Sequence, residues 1–196
     1  LSVGIVVIGT LTAVGLLISF NPTENEPIVV SIGIVFACAL MSFWFHNRQP
    51  AKIFMGDSGS LAIGFILASI LIPSSSNIFF GIHNKNYLLE GLLQLIAPAT
   101  ILAVPIFDTT LVTITRKWRS QRASVGGQDH ISHRLVSMGF SEKFAVHMLH
   151  IIAIVGGAVT WVLLKDIGKG ALIWFLYFIF LIMLGVYLAH VRVKYT

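Results

Sequence analysis

The sequence is poor in charge. Asp, Glu, Lys and Arg make up 11% of its 196 residues, against 56% apolar residues and a mean hydropathy of +0.89. A soluble domain carries about 25% charged residues, so this composition excludes one and points to an integral membrane protein. Cysteine is nearly missing as well. Cys38 is the single one and lies in an apolar run, so no internal disulfide exists and cysteine says nothing about compartment. No basic region precedes the first apolar run, so that run is not read as a signal peptide. The chain starts at Leu1 rather than Met and is expected to continue upstream. Internal repeats and low-complexity tracts are absent; Ser74-Ser75-Ser76-Asn77 is only a brief polar break.

What the chain does have is apolar segments. A membrane helix needs roughly 20 mostly apolar residues. Residues 3–20, 28–45, 88–110, 144–164 and 171–190 meet that length, and a shorter segment, 59–72, stops at Pro73. Charge decides how to count the short one. If it spans, ten of the 13 Lys and Arg residues share one side and three the other; if it does not, the split is eight to five. The positive-inside rule favours the lopsided arrangement. The expected fold is therefore all-α, a polytopic transmembrane helical bundle of about six spans in a single membrane domain over 1–196. Both ends are expected on the cytoplasmic side of a plasma (inner) membrane. Trp161 and Trp174 flank the 165–170 loop as an outer aromatic belt would. Two loops, about 46–58 and 116–142, then share the cytoplasmic face, and nearly all the polar chemistry lies in them.

The first loop ends in "FMGDSGSLAIGF", residues 54–65. Gly56 and Gly59 permit a tight turn. Asp57 or Ser58 can cap the helix that follows, and that helix start is a ready anion site. Asp57 can also hold Mg²⁺, a hard ion that prefers oxygen ligands and keeps waters for a phosphate. Plain capping is the structural alternative. A rival reading treats Gly56-Asp57-Ser58-Gly59 as a serine nucleophile turn resembling the rhomboid intramembrane proteases, with His150 or His190 as base.

The second loop reads "RKWRSQRASVGGQDHISHRLVSMGFS", residues 116–141. Its first four cations can simply touch anionic lipid heads, and a short tethered loop without an RNA-binding pattern argues against nucleic acid. Gly126-Gly127 provides a flexible approach. His130, His133 and Arg134 stand three and four apart, so on a helical turn they face one way and suit an anion with several phosphate oxygens. Zinc ranks low, because only two histidines and one aspartate are at hand where three or four N or S ligands are usual. Asp108, in "PIFDTT", is an ionisable group near the membrane face and a functional candidate by default. Its structural alternative is an ion pair with Arg116 or Lys117.

Three stretches together, "NRQPAKIFMGDSGSLAIGF" from Asn47, "PIFDTT" from Pro105 and "DHISHRL" from Asp129, resemble the polyprenyl-phosphate N-acetylhexosamine-1-phosphate transferases, the family of the MraY, WecA and TagO enzymes. The pattern is nearer the WecA/TagO branch, since Ser132 interrupts the three consecutive histidines of the MraY branch. The resemblance covers the back portion of the family's fold. The family's D-D and N-x-x-D-G motifs do not occur here, so the chain is expected to hold part of a catalytic site. The resemblance implies transfer of a sugar-1-phosphate from a UDP-N-acetylhexosamine to a polyprenyl phosphate such as undecaprenyl phosphate. UMP is released, at the start of cell-envelope polymers such as lipopolysaccharide or teichoic acid. It implies Mg²⁺, or Mn²⁺ in its place, on Asp57, with His130 and His133 catalytic. Phe54 would stack on uracil, Arg116 and Arg134 would meet phosphate or sugar, and Asn47, Lys52 and Asp108 would contribute to substrate binding or loop order. The partners are the UDP-sugar, the lipid phosphate and the membrane, with no nucleic acid; a homodimer is compatible. A non-catalytic transporter or scaffold is the remaining alternative, and leaves the histidine loop without a role.

Overall fold

A computed structural model describes residues 2–20, 27–48, 51–81, 87–120 and 129–191, without the side chains of 73–81 and 87–90. Among them every regular element is a helix. The order is α1 (Ser2–Phe20), α2 (Pro27–Asn47), α3 (Gly56–Gly81), α4 (Tyr87–Ile101), α5 (Ala103–Trp118), α6 (Ile131–Ser137), α7 (Glu142–Lys165) and α8 (Ile167–His190). Val, Ile and Phe are abundant in these helices although they are middling helix formers in water. A backbone among lipid tails must bond to itself, and that requirement overrides propensity.

The chain divides into two compact units, Leu1–Leu102 and Ala103–Thr196, where the sequence reads as one membrane domain. In the first unit α1 packs against α2, α3 and α4. Val3, Leu16 and Leu17 of α1 are buried, and the buried Thr10 hydroxyl donates to Val6 O at 2.8 Å. That backbone bond satisfies a polar group where no water reaches. In the second unit α7 and α8 form a hairpin, α5 touches both, and α6 packs on the same pair. Ser141 starts α7 by accepting the Phe144 N–H (3.2 Å), and Asp166 starts α8 by accepting that of Lys169 (3.2 Å). The outward faces are apolar too: Phe175, Leu176, Met183 and Tyr187 of α8 are all exposed, as lipid-facing positions are.

Four helices, α1, α2, α7 and α8, are long and apolar enough to cross a membrane, or five if α4 and α5 count as one span. Two expectations change in detail. The segment expected at 88–110 is broken at Leu102. Pro105 lacks the N–H that would bond to the Ile101 carbonyl, and the break falls there. The short segment does not stop at Pro73, because the helical backbone of α3 continues to Gly81. Its 26 residues rise about 39 Å, which is sufficient to span a hydrocarbon core of about 30 Å. Lys85, Arg122, Gly126-Gly127 and Lys194 lie outside the described residues.

Candidate active site

The first group of candidate residues belongs to the turn between α2 and α3. The Asn47 side-chain amide donates to Ile53 O (2.8 Å), and the Lys52 backbone N–H donates to His46 O (2.9 Å). These two bonds close the turn from opposite ends. The Arg48 guanidinium lies over the Phe45 ring, 5.3 Å from its centroid. Asn47 thus orders the loop, while the Lys52 side chain is exposed. Gly56 has φ +66, a conformation L side chains rarely adopt, and it swings the chain into α3. Asp57 falls in the first turn of that helix, where a negative charge meets the positive end of the helix dipole. Its carboxylate is exposed and bonds to no described residue; the bond from the Ser60 hydroxyl goes to the Asp57 backbone oxygen (2.8 Å). Phe54 is 81% exposed. Ser58 is exposed.

The second group is held by α5, α6 and α8. Arg116, in the last turn of α5, is buried and grips Asp129 at two points. Its Nε donates to Oδ2 at 2.7 Å and its Nη2 donates to Oδ1. The guanidinium holds the Asp129 carboxyl below its ordinary value, against the opposing effect of burial. Arg134 is fully buried. Its Nε donates to Asp129 O (2.8 Å), its Nη1 to Leu188 O near the end of α8 (2.9 Å) and its Nη2 to the Thr115 hydroxyl (2.6 Å). Two guanidinium groups thereby tie the end of α5, the start of α6 and the end of α8 together.

Asp108, two turns before Arg116 on α5, takes neither Arg116 nor Lys117 as its partner. Its Oδ2 lies 2.8 Å from His130 Nδ1, and its Oδ1 accepts the Ile131 N–H at 2.8 Å. His130 is the residue before α6 and makes no capping bond of its own; Asp108 caps that helix from a neighbouring one. The His130 side chain is 47% exposed and that of Asp108 21%. His133 is exposed, and its ring bonds to no described residue.

The expectation that His130, His133 and Arg134 present two imidazoles and a guanidinium to one point is corrected here. Arg134 turns inward, because three carbonyl and hydroxyl acceptors await its donors, and the two histidines are left on the exposed side. Arg116 is likewise engaged with Asp129, and Asp108 with His130 and Ile131, so none of the three carries its polar head freely to a substrate. Asp57, Phe54, Asn47 and Lys52 belong to the first unit and the histidine loop to the second. Sequence reasoning passed over Asp129 as the partner of Arg116, and Thr115 altogether. An acid inside an otherwise cationic stretch was a usable signal for the first; a threonine inside a helix gives none for the second. Among the described residues no group of three or more His, Cys, Asp or Glu could hold a metal ion.

Comparison with known proteins supplies the class. The family described as glycosyl transferase family 4 matches residues 1–75. Relatives extend the likeness beyond that stretch. A probable undecaprenyl-phosphate N-acetylglucosaminyl 1-phosphate transferase of Bacillus subtilis is 33% identical over 184 residues, which cover 94% of this chain and 46% of the relative. A decaprenyl-phosphate N-acetylglucosaminephosphotransferase of Mycolicibacterium smegmatis is 33% identical over 75% of this chain and 36% of its own. A phospho-N-acetylmuramoyl-pentapeptide-transferase of a Synechococcus strain is 35% identical over 53% of this chain and 27% of its own. The chain thus spans about half the length of the first of these relatives, at 46%, and less of the others. No solved structure matches it. With its long apolar helices, the chain is a multi-pass membrane protein.

Proposed function

We propose that the chain is part of an enzyme that transfers N-acetylhexosamine-1-phosphate from a UDP-sugar to a polyprenyl phosphate, undecaprenyl phosphate in bacteria. The observation that carries this reading is Asp57: an exposed carboxylate without a described partner, in the first turn of a helix whose described side chains are largely apolar. A lipid phosphate puts its head at such a place and its tail along such helices. The names of the relatives support the class, since they pair a polyprenyl phosphate with an amino-sugar phosphate.

A phosphate oxygen of the lipid forms a bond to the β-phosphorus of the UDP-sugar. The bond from that phosphorus to the bridging oxygen breaks, and UMP leaves with the bridging oxygen. Such transfers are catalysed chiefly by positioning and by neutralising oxygen charge. Asp57 is a hard oxygen donor whose charge no described residue uses, which fits Mg²⁺ held mainly by phosphate oxygens and water. When bound, Mg²⁺ supplies charge neutralisation on the diphosphate, and Mn²⁺ can do the same. Phe54 offers its ring to uracil. His133 offers a ring nitrogen to phosphate or sugar oxygens, and Lys52 an exposed ammonium. Arg116 and Arg134 act at one remove, holding the loop that carries the histidines. The active loops face the cytoplasm, where the nucleotide-sugar is.

The test uses the full-length protein in lipid, with a UDP-N-acetylhexosamine and polyprenyl phosphate, and measures UMP release with and without EDTA. Release that depends on both substrates and stops with EDTA is expected. Absence of release with every UDP-sugar and metal tried overturns the reading.

A further inference from the structure

One carboxylate in the second unit makes two contacts that act on the same neighbour. Asp108 Oδ1 accepts the Ile131 N–H (2.8 Å), and Oδ2 lies 2.8 Å from His130 Nδ1. The first bond fixes the backbone immediately after His130. The second fixes the imidazole itself. An ionised carboxylate only accepts, so Nδ1 must carry the proton. In the neutral ring Nε2 then holds a lone pair, and it bonds to no described residue. The side chain is about half exposed, at 47%, while Asp108 is largely covered, at 21%. A ligand therefore meets the imidazole and not the carboxylate.

We propose that Asp108 is a positioning residue that sets the tautomer of His130, so that Nε2 is the proton acceptor offered to a phosphate monoester. This deepens the transferase reading and rests on it for the identity of the substrate. In the step, the remaining proton of the lipid phosphate moves from its O–H to Nε2. The phosphate becomes a dianion and the ring an imidazolium with both nitrogens protonated. Asp108 faces that new charge across Nδ1 and stabilises it, as a buried carboxylate does behind a general-base histidine. Neighbouring charged groups among the described residues are already engaged: Asp129 is held by the Arg116 guanidinium, and the Arg134 guanidinium is bonded to Asp129 O, Leu188 O and Thr115. They supply neither a competing acceptor for Nδ1 nor a second orienting group for the ring.

The decisive measurement is the protonation state of each His130 ring nitrogen, read by NMR on the full-length protein labelled with ¹⁵N-histidine in nanodiscs, with His130→Gln used to assign the signal. At a pH where the ring is neutral, the Nδ1–H form is expected. The Nε2–H form in wild type overturns the proposal, whatever any variant does. A second arm uses Asp108→Asn, whose amide cannot satisfy both the Ile131 N–H and the His130 Nδ1–H. Turnover is expected to fall about 100-fold or more with little change in KM for the UDP-sugar. His130→Ala added to Asp108→Asn should then cost little further, since the two act as a unit. Losses that multiply in the double variant, or a KM effect alone, overturn the proposal. If wild type transfers no sugar phosphate at all, the transferase reading fails, and the tautomer still decides whether Asp108 positions His130.

Discussion

Arg116 and Asp129 form a two-point ion pair with both side chains nearly covered, 10% and 6% exposed. The pair closes the stretch between α5 and α6 at its two ends. Breaking a buried pair by removing one partner leaves an uncompensated charge and costs about 3–5 kcal/mol. Asp129→Ala is therefore expected to lower the thermal stability of the full-length protein in detergent by about that amount. The double variant Arg116→Ala/Asp129→Ala should be less impaired than the two single losses summed. Single losses that add without coupling would show that the pair contributes nothing as a pair.

The same pair fixes a pH dependence with a definite sign. Arg116 holds the Asp129 carboxyl below its ordinary value of 3.8. A carboxylate depressed in the folded state stabilises the fold above the unfolded value, and that contribution disappears as pH falls through the folded one. This component should be constant from neutral pH down to about pH 5 and be lost below about pH 4. Comparing melting temperatures of wild type and Asp129→Asn across that range isolates it. The gap between them should narrow only at the acid end. A gap that narrows between pH 7 and 5 would contradict the assignment.

Arg134 separates a structural from a ligand role. Its guanidinium is bonded to Asp129 O, Leu188 O and the Thr115 hydroxyl, with no exposed surface. Arg134→Ala leaves buried acceptors without donors, at about 1–3 kcal/mol each. The expected result is a marked loss of folded protein and of melting temperature, and Arg134→Lys should rescue only part of it, because an ammonium cannot reproduce the planar fork. A variant that melts normally but shows a raised KM for the UDP-sugar would return Arg134 to phosphate binding.

The helices were legible because long apolar runs in a charge-poor chain leave the backbone little else to do. Pro73 shows the limit. The sequence marks it as a breaker, yet α3 runs on to Gly81. Pro105 shows the opposite error, where a mild-looking proline coincides with a break three residues upstream, at Leu102. In the second loop the spacing of His130, His133 and Arg134 correctly places them within one or two helical turns, but spacing cannot say which side is covered. Arg134 is drawn inward by Leu188 O, 54 residues away in the chain, and no local pattern records such an acceptor. Asp108 and His130, 22 residues apart, were both picked out as chemically interesting. Their partnership depends on the start of α6 meeting the Asp108 carboxylate of α5, which only the structure displays.

The α7–α8 hairpin has one position where a single methyl group decides the packing. A Cβ on Gly170 would lie 2.2 Å from Leu163 Cα, a backbone atom that cannot step aside. Gly170→Ala should therefore force the two helices apart and cost about 3 kcal/mol or more, at the upper end for overpacked sites. Gly168→Ala is the matched control, since its added carbon would meet only Asp166 Oδ1 at an ordinary 3.5 Å. Folded yield and melting temperature of the two variants, side by side, give the answer. Equal stability would mean that the close approach of the hairpin is not maintained.

Asp57 and Ser58 are neighbours in one turn, and the two chemistries open to that turn make opposite claims about them. If Asp57 holds a hard cation, Asp57→Asn keeps the shape and removes the charge that binds it. Turnover of the full-length protein should then collapse, and excess Mg²⁺ should restore little. Melting temperature should barely move, because the carboxylate bonds to no described residue. Ser58→Ala removes at most a cap or a minor hydrogen bond, about 0.5–2 kcal/mol, and should leave most of the turnover. If Ser58 is instead a protease nucleophile, the order reverses: Ser58→Ala abolishes activity, chelators do nothing, and a serine-directed phosphonate labels the protein. Both variants are therefore assayed together for UMP release, with stability followed in parallel. Asp57→Asn is expected to be the inactive, stable one. Full UMP release from Asp57→Asn would sink the metal assignment, and a Ser58→Ala variant with no UMP release and an unchanged melting temperature would point the turn to different chemistry.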